Sequence, residues 1–281
     1  MKTGLVMEGG GLRGLFTAGV MDVMMEAEIA FDGAVGVSAG AVFGCNYKSG
    51  QIGRVLRYNL TYCKDPRYCS LRSLLFTGDL FGADFCYRRL PEELDVFDEA
   101  AYNRNPMAFY AVCTDVETGE PVYHLCKKAG TESLDWFRAS ASMPLAARIV
   151  QAGGRKLLDG GVADSIPLKA FEQMGYARNV VILTQPKGYV KEKNPLLPLL
   201  RLRYGRYPRL MEALENRHHN YNAAVAHAEA QEKAGKALVI RPGAALPIGR
   251  IDHDPEHIRA AYQMGVQVGR ERLEALKYFV K

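Results

Sequence analysis

The sequence predicts an α/β fold, three layers deep (α/β/α) around a largely parallel central sheet, with a helical and mixed extension at the C-terminal end. Two observations carry this expectation. Short apolar runs suited to buried strands alternate with longer stretches in which apolar residues recur every three or four positions. Glycine-rich turns fall where one kind of run gives way to the other.

The elements follow in order. Leu5–Met7 reads as a short buried strand. After the glycines, Leu12, Leu15, Phe16, Gly19, Val20, Val23 and Met24 keep helical spacing to about Ala27, with Arg13, Thr17, Asp22 and Glu26 between them. Phe31–Val37 is a second strand, Ala39–Lys48 a second helix and Gly53–Tyr62 a third. Residues 64–105, broken by Pro66, Gly78, Gly82 and Pro91, read as loops and short helices. Met107–Thr114 and Pro121–Cys126 flank the turn sequence ETGE as a hairpin. A helix over Ser133–Ser142 stops before Pro144, and the strand Lys156–Leu158 ends at Asp159. Pro167–Met174 (helix), Asn179–Thr184 (strand), Tyr207–Lys233 (long helix), Ala237–Arg241 (strand) and Pro255–Phe279 (helix) complete the chain. The Pro- and Lys-rich stretch near 186–208 marks the one boundary. Residues 1–186 form the main domain, and 187–281 a basic loop and C-terminal extension packed on it.

A 281-residue chain that is 48% hydrophobic can bury a full core. Its six cysteines are scattered without a CxxC pair or metal-ligand spacing, so reduced thiols and no metal are expected. The apolar run before the glycines is too short for a signal peptide, and nothing approaches the roughly 20 apolar residues of a spanning helix. A cytoplasmic protein that can associate with membranes is expected. Its net charge of +5 is uneven: Lys187–Arg209 holds seven basic residues and one acid, Glu192, interleaved with leucine and tyrosine. Such a segment suits an anionic lipid surface. No helix-turn-helix, zinc or RNA-binding signature accompanies the charge, so nucleic acid is not an expected partner.

Three short motifs carry chemistry. GVSAG, Gly36 to Gly40, places Ser38 at a strand-to-helix turn, where flanking glycines permit the tight bend that exposes a nucleophilic oxygen in front of a helix N-terminus. LLDGG places Asp159 at the end of a strand, with Gly160 and Gly161 allowing close approach behind it. Asp159 can take the proton from Ser38 directly or orient a histidine that does so. EGGGLRG near the N-terminus matches G-x-G-x-x-G through Gly9, Gly11 and Gly14, but two residues argue against a dinucleotide. Glu8 would repel a pyrophosphate, and Asp32, the acid at ribose distance, stands at the wrong end of the second strand. A row of free amides at a helix start serves an oxyanion as well as a phosphate. Gly10 and Gly11 are candidate donors, with Ala39 N–H behind Ser38 and Arg13 adding positive charge.

In chain order, EGGGLRG, then GVSAG, then LLDGG, the motifs resemble those of the patatin-like phospholipases. ASASMP (Ala139–Pro144) is similar to a segment that the family places shortly before its aspartate, and CTDVETGE to a family hairpin. The resemblance covers roughly residues 3–185. It implies a Ser–Asp dyad without histidine, with Ser38 as nucleophile and Asp159 as base. It also implies an oxyanion hole from the loop Gly9, Gly10, Gly11, Leu12, Arg13 and Gly14 with Ala39, no cofactor, and a lipid acyl ester as substrate. Glu8 departs from the pattern, since many members carry Asp there. Two alternatives stay open from the residues alone. One is an α/β-hydrolase triad completed by His253 or His257, or less distinctively by His218, His219 or His124. The other is a non-catalytic membrane-surface binder that uses residues 187–209.

Overall fold

The computed structural model describes residues 1–281. Eight strands form one sheet: β1 (Lys2–Met7), β2 (Gly33–Val37), β3 (Ala108–Asp115), β4 (Pro121–Leu125), β5 (Val150–Ala152), β6 (Arg155–Asp159), β7 (Tyr176–Ile182) and β8 (Ala237–Ile240). The order is β5-β6-β3-β2-β1-β7-β8, with β4 also on β3. The β3-β2-β1-β7-β8 portion is parallel, whereas β4, β5 and β6 pair antiparallel. The helices are α1 (Gly14–Glu26), α2 (Ala39–Ser49), α3 (Arg54–Tyr62), α4 (Leu71–Thr77), α5 (Glu99–Arg104), α6 (Thr131–Ser140), α7 (Leu168–Gln173), α8 (Leu197–Tyr204), α9 (Pro208–Lys233) and α10 (Pro255–Val280). A π-helical stretch, Phe85–Leu94, precedes α5 and holds Pro91.

Period-two alternation makes the layers. On β1, Leu5 and Met7 join the larger core, shared with α1, α2 and α10, while Val6 joins the core under α7 and α9. On β7, Val180 and Ile182 face the first core and Val181 the second. Residues 187–281 are built into this plan. β8 extends the parallel sheet beside β7, and α9 covers its second face. α10 packs along α1, where the Tyr262 hydroxyl donates to Asp22 at 2.7 Å.

Two expectations change. The stretch near 186–208 is not all loop: α8 buries Leu200 and Tyr204 in a third core with Leu210 and Leu214 of α9, because its leucines recur at helical spacing between prolines. The second is the strand ending at Asp159, which lies at the carboxyl edge of the parallel strands without being one of them. β2 and β6 lie end to end along one edge of β3. Val37 pairs with Val112 and Asp159 with Cys113, and β4 occupies the opposite edge. Running antiparallel, β6 brings its last residue back to the point where β2 ends.

Candidate active site

Ser38 sits where β2 passes into α2, at φ +54° and ψ −120°, a region that side chains with a Cβ rarely adopt. Holding a residue there costs on the order of 1–3 kcal/mol, so the surroundings must enforce it. They do so by close packing. A Cβ on Gly36 would meet Gly40 O at 2.2 Å, and one on Gly40 would meet Met7 O at 2.4 Å, so only glycines let the strand and helix approach this tightly. The Ser38 amide donates to Ser140 Oγ at 2.9 Å, and that hydroxyl donates to Val112 O at 2.6 Å. Ser38 itself is 6% exposed.

Asp159, 5% exposed, is fixed through its backbone and its carboxylate. Its amide donates to Ser142 O at 2.8 Å, its carbonyl accepts the Thr114 hydroxyl at 2.8 Å, and its Oδ1 accepts the Gly161 amide at 2.7 Å. Burial pushes its pKa above the ordinary aspartate value. The Ser38 hydroxyl, as a hydrogen-bonding partner, offsets part of this, followed by Arg217, the Gly161 amide and Arg250. Ser140 and Ser142 thus tie Ser38 and Asp159 to one segment, ASASMP. Residue-by-residue reasoning missed these roles, although the run of small residues before Pro144 was their signal.

The glycine loop lies against the elbow: a Cβ on Gly9 would stand 3.0 Å from Ser38 Cβ. The Gly9 and Gly10 amides make no hydrogen bond within the protein. Gly11 has φ +58°, and its neighbour Leu12 donates its amide to Arg250 O at 3.0 Å. The Gly14 amide turns back to Gly11 O and Leu12 O. Of the seven positions expected to form an oxyanion hole, Leu12 and Gly14 therefore have committed amides and shape the loop. Glu8 faces inward, accepting the Thr184 amide and, at 2.9 Å, the Tyr221 hydroxyl; burial raises its pKa. Asp32 is remote from the loop, accepting the Thr3 amide at 2.7 Å.

Ser38 separates two chambers. One, about 110 Å³, is apolar: sixteen of its twenty lining residues are hydrophobic, and its one charged group, Arg54, is paired with Asp95 at 3.3 Å. The other, about 410 Å³, holds Asp159, Glu8 and the glycine loop together with Arg13, Lys191, Arg217 and Arg250. The last three lie beyond residue 186, and sequence reasoning did not place them at the site. Arg217 on α9 donates through Nε to Gly161 O. No histidine lines either chamber. His253 Nδ1 lies 2.7 Å from Cys63 O, His257 pairs with Asp252, and His124 stacks on Trp136. His218 and His219 lie against each other on α9, and His227 meets Glu172 at 2.8 Å.

Comparison with known proteins gives the geometry a context. Residues 5–172 match the family described as Patatin-like phospholipase, and residues 207–281 match a Domain of unknown function (DUF6363). "Uncharacterized protein YjjU" of Escherichia coli is 33% identical over 195 residues, 66% of this chain and 52% of that protein. "Patatin-like phospholipase domain-containing protein ZK370.4" of Caenorhabditis elegans is 26% identical over 97% of this chain and 20% of its own length. "Lysophospholipase nte1" of Aspergillus terreus is 25% identical over 98% of this chain and 18% of its own length. The chain therefore spans about half the length of the first relative and about a fifth of the others. With the family match covering more than half the chain, and with a serine elbow, an aspartate and a glycine loop meeting at one cleft, this protein belongs to the patatin-like phospholipase family of enzymes.

Proposed function

We propose that the protein hydrolyses lipid acyl esters through a Ser38–Asp159 dyad. The observation that carries this reading is the meeting of Ser38 and Asp159 at the junction of an apolar and a polar chamber. The acyl chain enters the apolar chamber, leaving the ester carbonyl at Ser38. Asp159 takes the hydroxyl proton as Ser38 Oγ attacks the carbonyl carbon. The free amides of Gly9 and Gly10, with Gly11, Arg13 and Ala39 beside them, receive the oxyanion, and each such donor is worth about 3 kcal/mol in the transition state. The alcohol leaves with the proton from Asp159. Water, deprotonated by the same carboxylate, then releases the acid from the acyl-enzyme, and Asp159 returns that proton to the departing Ser38 Oγ. The absence of histidine from both chambers favours the dyad over a triad. An organophosphonate ester probe is expected to add one label per chain, at Ser38, by peptide mass mapping. A label elsewhere, or none on a protein that hydrolyses esters, refutes the reading.

The cleft mouth supports peripheral contact with an anionic lipid surface. On α4, Leu75 and Phe76 are 82% and 79% exposed, and on α8 Leu202 is 85% exposed. Leu71 and Leu74 of α4 and Leu196 and Leu200 beside them line the cleft itself, with Arg72, Lys193, Arg201 and Arg203 interleaved. No helix of the protein is long and apolar enough to cross a membrane. Replacing Leu75, Phe76 and Leu202 by serine should lower co-sedimentation with phosphatidylglycerol vesicles at least 10-fold, since each side chain buries about 1.5–3 kcal/mol of apolar surface. Unchanged sedimentation would exclude this face.

A further inference from the structure

The 410 Å³ chamber beside Ser38 carries an unusual charge balance. Four cations line it, Arg13 from the start of α1, Lys191, Arg217 from α9 and Arg250, against two carboxylates, Glu8 and Asp159. With all four cations protonated, that leaves an excess of two positive charges even with both acids ionised. None of the four cations forms an ion pair, although seventeen such pairs occur elsewhere in the protein. Arg13 Nε is buried and bonds to nothing. Arg217 uses only Nε, on Gly161 O, leaving both terminal nitrogens free. The Lys191 ammonium lies 4.2 Å above the Tyr221 ring, and its backbone is pinned at both N–H and C=O by the Asn222 side chain, at 2.8 and 3.0 Å. Glu8 relieves the cluster only in part: its charge acts on Arg13 and Lys191, but its oxygens are hydrogen-bonded to Thr184 and Tyr221 and form no ion pair.

Arg13, Lys191 and Arg217 are half-buried and Arg250 is exposed; half-buried like charges without a partner are costly, and proteins normally pair them. Here the cost is visible: burial, then Arg217 and Arg250, push the Lys191 pKa down to about 7. A group that is repelled in the empty cleft is stabilised when an anion enters. Arginine forks and a lysine ammonium are the donors that grip phosphate oxygens.

We infer that Lys191, Arg217 and Arg250, with Arg13, form a phosphate subsite that selects acyl esters whose alcohol half ends in a phosphate monoester. The inference rests on the acyl-hydrolase reading, which fixes the acyl chain in the apolar chamber and so directs the alcohol half into the cationic one. A monoester dianion holds Lys191 protonated and then matches the excess of two charges. A zwitterionic headgroup does not, because it brings a further positive charge to a cleft whose cations already outnumber its only acids, Glu8 and Asp159. The subsite also gives residues 187–281 a task, completing the substrate pocket of the preceding 186.

The test compares kcat/KM for a monoacylglycerol 3-phosphate, the same monoacylglycerol and the same monoacylglycerophosphocholine. The phosphate ester should lead both others. In Lys191→Gln and in Arg250→Gln that lead should shrink about 10- to 100-fold, the range for losing one charged hydrogen bond. Removing a charge at exposed Lys128 (K128Q) should leave it unchanged, separating the site from the overall field. Calorimetry with glycerol 3-phosphate on Ser38→Ala protein reads the subsite without catalysis, and binding there should weaken on adding K191Q or R250Q. Hydrolysis with no preference among the three esters overturns the inference and leaves the hydrolase reading intact. Binding of glycerol 3-phosphate by a protein that hydrolyses no ester refutes the hydrolase reading and keeps the anion site. Binding of inorganic phosphate at Lys191 and Arg250 without any lead for the phosphate ester assigns the site to a free anion and overturns the substrate claim.

Discussion

Ser38→Ala is expected to lower kcat/KM for every ester that the protein accepts by at least about 10⁴-fold, close to 5 kcal/mol of transition-state stabilisation. The change removes one oxygen and little else. Alanine keeps the Cβ, so the elbow at φ +54° is no more strained than before, and the hydrogen bond that its backbone N–H donates to Ser140 Oγ is untouched. Folding should therefore survive, with a Tm within about 3 °C of the parent, since substitutions that leave packing and hydrogen bonds intact shift stability little. The measurement is a progress curve on a neutral short-chain ester beside a thermal melt. A variant that keeps more than a hundredth of the parent rate while folded would show that the nucleophile is another group.

Asp159→Asn should cost about 10³- to 10⁴-fold in kcat, because the amide still fits beside Ser38 and Gly161 but cannot accept the hydroxyl proton. The pH profile makes this prediction sharper. Asp159 acts as a base only when ionised, and burial raises its pKa above the ordinary aspartate value. In the parent, kcat/KM should fall as pH drops through that raised pKa, so the acid limb lies above the usual range near 4. Arg217 lowers the same pKa, so Arg217→Met should move the limb further upward. The limb should vanish in Asp159→Asn. An acid limb at or below the ordinary aspartate range, or one that persists in Asp159→Asn, would remove Asp159 from the role of base.

Much of this site could be read in the chain because its parts are local. Ser38 needs a strand, a helix and glycines two residues to either side, all within one stretch of sequence. The glycine loop is equally local, and Glu8 with Asp32 sufficed to turn the reading from a nucleotide to an oxyanion. Apolar periodicity located most strands and helices, since alternate faces of β1 and β7 meet two different cores. It did not find β5, three residues long, or recognise α8 as helical between its prolines.

What sequence alone determined is the chemistry on offer: a serine on a strained turn, a carboxylate at a strand end, a row of amides at a helix start. Tertiary structure decided how these meet and what surrounds them. The antiparallel return of β6 sets Asp159 against the end of β2, a pairing that depends on register across β3 and that no local pattern encodes. Lys191, Arg217 and Arg250 read as ordinary surface charges until α9 and the loop before α10 fold back over the glycine loop. Their significance comes from standing together without an ion-pair partner, Lys191 and Arg217 half-buried and Arg250 exposed. Charge pairing is a property of the folded neighbourhood, not of the order of residues.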